Sequence, residues 1–112
     1  MKSSITTHVL DTASGRPARA MSVVLERLDG SFIEVGKGIT NEDGRILDLL
    51  PGGAAATGTY RLNFDTGAHY RAQGKTCFYP LVSITFEVTA SDEHYHVPLL
   101  LSPYAYSTYR GS

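Results

Sequence analysis

The sequence predicts an all-β sandwich on one domain. Apolar residues recur at every second position over short runs. Gly, Pro, Asn and Asp divide those runs at close spacing, and only one stretch has the end signals of a helix. A chain of 112 residues that is 42% hydrophobic can enclose one core, so residues 1–112 are read as a single domain.

The first strand spans Ile5 to Thr12, with Ile5, Thr7 and Val9 on one face and Thr6, His8 and Leu10 on the other. Ser14-Gly15-Arg16-Pro17 is a turn signal, since Gly tolerates positive φ and Pro fixes φ and lacks an amide donor. Met21 to Leu28 and Phe32 to Ile39 flank Asp29-Gly30 as the arms of a hairpin. After the polar turn Thr40 to Gly44, Arg45 to Leu49 has room for a short strand only, because Pro51-Gly52-Gly53 breaks the chain. Tyr60, Leu62 and Phe64 alternate with Arg61, Asn63 and Asp65, the pattern of a half-buried strand. Asp65 or Thr66 caps a short helix that runs to about Gln73 and stops at Gly74. Val82 to Val88 alternates again. In the next strand Tyr95, Val97, Leu99 and Leu101 form the apolar row, and His94, His96, Pro98 and Leu100 the opposite one. Pro98 predicts an edge position or a bulge there. Ala105 to Arg110 is the eighth and last strand.

Charge and composition exclude several functions. Ten basic and eleven acidic residues give a net charge of −1, which supplies no field to recruit nucleic acid or an anionic membrane. No apolar run approaches the ~20 residues that span a bilayer. Met1-Lys2-Ser3-Ser4 leads into strand-like sequence rather than a signal-peptide apolar region, so a soluble, cytoplasmic chain is expected. Cys77 is the only cysteine, which rules out an intrachain disulfide. Beside Phe78 and Tyr79 it reads as a packed, inert thiol suited to a reducing compartment.

The chemistry-bearing residues gather toward the C-terminal stretch, His94 to Ser112. Chain ends normally turn polar and fray. This one keeps strand-forming and aromatic residues up to Tyr109-Arg110-Gly111-Ser112, so it is expected to be held inside something. His8 and His96 stand on the outer rows of two different strands. Taken singly, each reads as a solvated imidazole. Sharing those rows with Leu10 and Leu100, and with Tyr104, Tyr106 and Tyr109 close in sequence, they read as part of a face that a second copy covers. Arg45 follows Asp43-Gly44, where its rigid fork of donors can meet a planar polar ligand, although a plain surface charge accounts for it in isolation. His69 in the helix reads as a surface residue. His94 and His96 have the spacing of a metal-ligand pair, but no cysteine or carboxylate at ligand spacing joins them, and no metal or other cofactor is assigned.

Several short motifs then carry a family likeness. Thr7-His8-Val9-Leu10-Asp11, Gly15-Arg16-Pro17-Ala18, Asp43-Gly44-Arg45, Phe78-Tyr79-Pro80 and the terminal Tyr109-Arg110-Gly111-Ser112 together resemble the 5-hydroxyisourate hydrolases, the transthyretin-related enzymes of urate breakdown. The likeness runs in order through essentially the whole chain, and the terminal tetrapeptide is its most specific part. One departure is Leu81, where many relatives have an acidic residue. The resemblance implies a transthyretin-like sandwich of two four-stranded sheets with one short helix. It also implies a homotetramer built as a dimer of dimers, with the active site in a channel at the dimer–dimer interface. It places the catalytic roles on His8, Arg45 and His96 and the substrate-binding motif on Tyr109, Arg110, Gly111 and Ser112.

The implied reaction suits those side chains. Opening 5-hydroxyisourate at an acyl C–N bond needs a base to activate water, a proton for the leaving nitrogen and a cation or donors for the oxyanion. Imidazole exchanges protons near neutral pH. Which histidine is the base is open at this level. Two rivals stand beside the enzyme: a transthyretin-like small-molecule binding protein without catalysis, and a plain structural sandwich without a pocket.

Overall fold

Turns and alternation divide the chain largely where the sequence implies. The computed structural model describes residues 3–112; Met1 and Lys2, where the signal-peptide argument begins, lie outside the described residues. In order the elements are β1 (Ile5–Asp11), β2 (Arg16–Pro17), β3 (Ser22–Asp29), β4 (Ser31–Ile39), β5 (Arg45–Ile46), β6 (Gly58–Phe64), α1 (Thr66–Arg71), β7 (Val82–Val88), β8 (Tyr95–Leu101) and β9 (Tyr106–Thr108). One sheet runs β2-β1-β8-β9 with β5 also paired to β1, and the other runs β4-β3-β6-β7.

The inner rows meet between the sheets. Ile5, Val9, Leu99 and Leu101 are fully buried from the first sheet, and Leu25, Leu62 and Phe64 from the second. Each such apolar side chain contributes about 1.5–3 kcal/mol relative to exposure. The outer row of the first sheet is thereby left facing away from the core, with His8 and His96 on it, half-buried.

The all-β sandwich is as expected, but its first sheet has five strands instead of four. The extra one is Arg16–Pro17, read as turn, which pairs Leu10↔Pro17 and Asp11↔Arg16 on the flank of β1. At an edge the missing proline amide costs no ladder bond. The Pro98 expectation fails in the opposite sense. β8 lies between β1 and β9, so Pro98 is in an interior strand. The pairs Leu99↔Thr108, Leu100↔Ser107 and Leu101↔Tyr106 keep one register with the later bridge His96↔Gly111, so there is no bulge either. The absent proline donor simply opens a gap in the β8–β9 ladder opposite Tyr109. The Thr108 hydroxyl donates across it to the Pro98 carbonyl at 2.7 Å.

Helix α1 ends two residues earlier than expected and is capped by Asp65, whose carboxylate accepts from the Ala68 amide at 3.3 Å. It also corrects the reading of His69. That ring is half-buried, with Nε2 3.0 Å from Asp11 Oδ2, and it ties the helix to the end of β1. Asp11 is itself buried, and its Oδ1 accepts from the Ala13 and Ser14 amides at 2.9 and 3.2 Å. Burial pushes the Asp11 carboxyl up, but the bonds from His69, Ser14 and Ala13 outweigh it and hold it below its ordinary value.

A group depressed in the folded state stabilises above its unfolded pKa, and that contribution is lost as pH falls through the folded value. Asp11→Ala removes the acceptor from both amides and from His69. The expected loss is about 1–3 kcal/mol, read as a lower urea midpoint at unchanged slope. The gap to wild type should shrink in acid. An unchanged midpoint at neutral pH would show that this carboxylate holds nothing in place.

Candidate active site

Cross-strand register assembles the outer face in two rows. β1 and β8 pair in parallel, with Thr6↔His96 and His8↔Pro98 as Cα partners, while the antiparallel β5 sets Arg45 opposite His8. One row therefore reads Arg45, His8, Pro98, Tyr109 and the next reads Thr6, His96, Gly111. Residues two apart on a strand share a face and lie about 7 Å apart. His8, Arg45 and His96 are thus brought together from three separated stretches of sequence.

The turn before β5 fixes Arg45. The Asn41 side-chain oxygen accepts from the Asp43 and Arg45 amides, both at 2.9 Å, and the Val9 amide donates to the Gly44 carbonyl at 2.7 Å. Gly44 has φ +74°, and a Cβ there would lie 2.4 Å from the Val9 carbonyl oxygen, so backbone conformation and close approach both require glycine. Arg45 comes to rest beside His8, whose imidazole pKa is lowered first by burial and next by the Arg45 charge. A hydrogen bond to the Asp43 backbone and the Asp43 carboxylate oppose this without reversing it. His8 is accordingly held neutral over a wider range than a free histidine.

His96 is held from two sides. Thr6 Oγ1 lies 2.8 Å from its Nδ1, and the same hydroxyl lies 3.0 Å from His94 Nε2, with the two rings stacked at 6.2 Å and 21°. The pair that resembled metal ligands is thus bridged by a threonine. Among the described residues no group of three or more His, Cys, Asp or Glu gathers as a metal site. On the other side the Gly111 amide donates to the His96 carbonyl at 2.8 Å, and a Cβ on Gly111 would meet His96 Cδ2 at 2.6 Å. The third residue of the terminal motif is a glycine because an imidazole lies across it.

The rest of the motif divides. Tyr109 is exposed on the outer face opposite Pro98, and Ser112 is exposed at the end. Arg110, in register with the inward-facing Val97, is turned away from the histidine rows. Its Nη2 donates to Glu93 Oε1 at 3.1 Å and to the His94 carbonyl at 3.3 Å, and the guanidinium lies 4.4 Å from the centre of the Tyr95 ring. In the single chain Arg110 fastens the terminal strand, while His8, Arg45, His96, Tyr109 and Gly111 share the face. Thr6 had no assigned role from sequence. Its place on the row with His8 was legible, but its contact with His96 depends on a parallel register that alternation does not encode.

Such an arrangement on a two-sheet sandwich defines a class. The chain belongs to the HIUase/Transthyretin family, whose profile matches residues 5–111. Among relatives, it is 46% identical to the 5-hydroxyisourate hydrolase of Mus musculus, over 98% of this chain and 96% of that protein. Among solved structures, the Klebsiella pneumoniae 5-hydroxyisourate hydrolase aligns over the full length of both chains with a TM-score of 0.86 at 33% identity. Transthyretin from Sparus aurata aligns over 96% of this chain and 95% of its own with a TM-score of 0.89 at 28% identity.

Gly111→Ala isolates the motif's contact with His96. Moving from 2.6 Å to an ordinary 3.4 Å contact needs a displacement of about 0.8 Å, and the atom met is at the far end of a side chain. The variant is expected to fold with the His96 ring swung off the Thr6 hydroxyl, as a crystal structure would show. A ring left in place would refute the positioning role.

Proposed function

We propose that this chain hydrolyses 5-hydroxyisourate to 2-oxo-4-hydroxy-4-carboxy-5-ureidoimidazoline, a step of urate catabolism, using His8, Arg45 and His96. The observation that carries this reading is the meeting of those three side chains on one face of the sandwich, in a chain that shares 46% identity over nearly its whole length with a 5-hydroxyisourate hydrolase.

The two histidines have different surroundings and take different parts. His8, kept neutral by burial and by Arg45, accepts the proton of the attacking water. Water adds to the ring carbonyl, and Arg45, directly opposite His8, stabilises the oxyanion that forms. Collapse of the adduct breaks the acyl C–N bond, and His96 gives the leaving nitrogen a proton from Nε2. The product acid then ionises. Tyr109 and Ser112 shape the pocket wall, Gly111 makes room for the His96 ring, and Arg110 anchors the strand that carries them.

On a single chain this face is open, with Tyr104 68% and Tyr109 58% exposed beside it. Burying it requires a second copy, so we assign a homotetramer, a dimer of dimers, with 5-hydroxyisourate held between the opposed faces. The free thiol of Cys77 suits a reducing compartment, and we place the work in the cytoplasm.

Generating 5-hydroxyisourate from urate in situ and following its ultraviolet decay tests the activity. Decay should be faster with the protein than without it. His96→Asn should slow it by on the order of 10²-fold or more while sedimenting as the same tetramer. Decay at the spontaneous rate with wild type would end the hydrolase reading, and a dissociated variant would make His96 an interface residue. A second expectation concerns pH. The base must be neutral and its pKa is lowered, so the acid limb of kcat/KM should fall below 6.5. A limb above that value would assign the base to another group.

A further inference from the structure

Thr6 places a buried hydroxyl between two imidazoles. It is 1% exposed, so no bulk water competes for its oxygen, and it lies 2.8 Å from His96 Nδ1 and 3.0 Å from His94 Nε2. A hydroxyl has one proton to give. When Thr6 donates to one ring nitrogen, it is left to accept an N–H from the other, and the protonation of the two rings at these atoms becomes complementary. The outer ring is exposed and opens on a surface hollow lined by Ser3, Ser4, Gly53, Asp92 and Glu93 as well as His94 itself. Backbone pairing fixes the spacing, because Tyr95, between the two histidines, donates its amide to the Ser4 carbonyl at 2.7 Å.

We propose that Thr6 and His94 are positioning residues behind His96 and form a proton relay from the hollow to the reacting face. The inference rests on the hydrolase reading and on His96 as donor to the leaving nitrogen. It starts with His94 as imidazolium, donating Nε2–H to Thr6, while Thr6 donates its hydroxyl proton to the unprotonated Nδ1 of a neutral His96. As His96 gives its Nε2 proton to the leaving nitrogen, the Thr6 proton moves to Nδ1 and the His94 Nε2 proton moves to the Thr6 oxygen. Three bonds to hydrogen break and three form. His94 ends neutral, Thr6 is again a hydroxyl, and His96 is neutral in its other tautomer. The His96 ring therefore never has to become an imidazolate. Water in the hollow reprotonates His94.

The relay separates from a packing role through the intact protein's kinetics. Thr6→Val keeps shape and removes the hydroxyl; it should lower kcat about tenfold or more with KM little changed, and Thr6→Ser should recover most of the loss. His94→Gln should lower kcat in dilute buffer, and added imidazole should restore it in proportion to concentration, as it should not for Thr6→Val. In 15N spectra of the wild-type rings, His96 Nδ1 and His94 Nε2 should show complementary protonation that Thr6→Val abolishes. Wild-type kcat in Thr6→Val, a Thr6→Ser no better than Thr6→Val, or His94→Gln unimpaired and indifferent to imidazole would each overturn the relay. If wild type and these variants turn over normally while His96→Asn does not, the relay alone fails. If wild type does not turn over, the hydrolase reading fails and the relay with it.

Discussion

The parallel pairing of β1 with β8 is the constraint on which the rest depends. It joins the beginning of the chain to its end, from Ile5↔Tyr95 to Asp11↔Leu101, and sets both strands inside the first sheet. A slip of one residue would turn every side chain of a strand to the opposite face. The inner rows of both strands are fully packed, so that slip is heavily penalised. The register that buries Val9 and Leu99 therefore also fixes His8 and His96 on the outside. β5 and β9 add to a frame already set, one bringing Arg45 to His8 and the other Gly111 to His96.

Much of this was legible in the sequence because alternation is a local property. The outer position of His8 and His96, the turn that presents Arg45 and the single helix all follow from residues within a few positions of one another. What was not legible depends on partners distant in sequence. Thr6 looked like any outer-row threonine until the register set it against His96, and His69 looked like a surface residue until α1 folded onto Asp11. Arg110 belongs to the same terminal motif as Gly111, yet the alternation of the backbone turns its side chain away from the face on which Gly111 meets His96. Pro98 shows the converse error. A proline costs a strand one donor, and here the cost falls in the short ladder between β8 and the edge strand β9.

Family membership by itself leaves the choice between hydrolase and binding protein open, since a transthyretin and a 5-hydroxyisourate hydrolase overlay this chain with TM-scores of 0.89 and 0.86. Sequence likeness separates them, since relatives 46% and 49% identical over 98% and 96% of this chain are 5-hydroxyisourate hydrolases, and the outer row agrees with that reading. A binding channel needs shape and apolar lining. It has no use for an imidazole held neutral by burial and a neighbouring guanidinium, nor for a glycine placed where a second imidazole leaves no room for a Cβ.

The contrast between the two histidines finally bears on how hydrolysis is divided. A base and an acid serve one another only if their environments differ. His8 is kept neutral first by burial and next by the cation of Arg45, with Asp43 opposing but not reversing this, so in the proposed mechanism a lone pair stays available for water. His96 meets a hydroxyl that in turn meets a second imidazole, groups that in the proposed relay replace a proton once it has been given away. On the proposed reading one site keeps protons off and the other is resupplied with them. In the proposed mechanism, Arg45 on the far side of His8 lets base and cation act together at the substrate carbonyl, with His96 one row away to serve the leaving nitrogen.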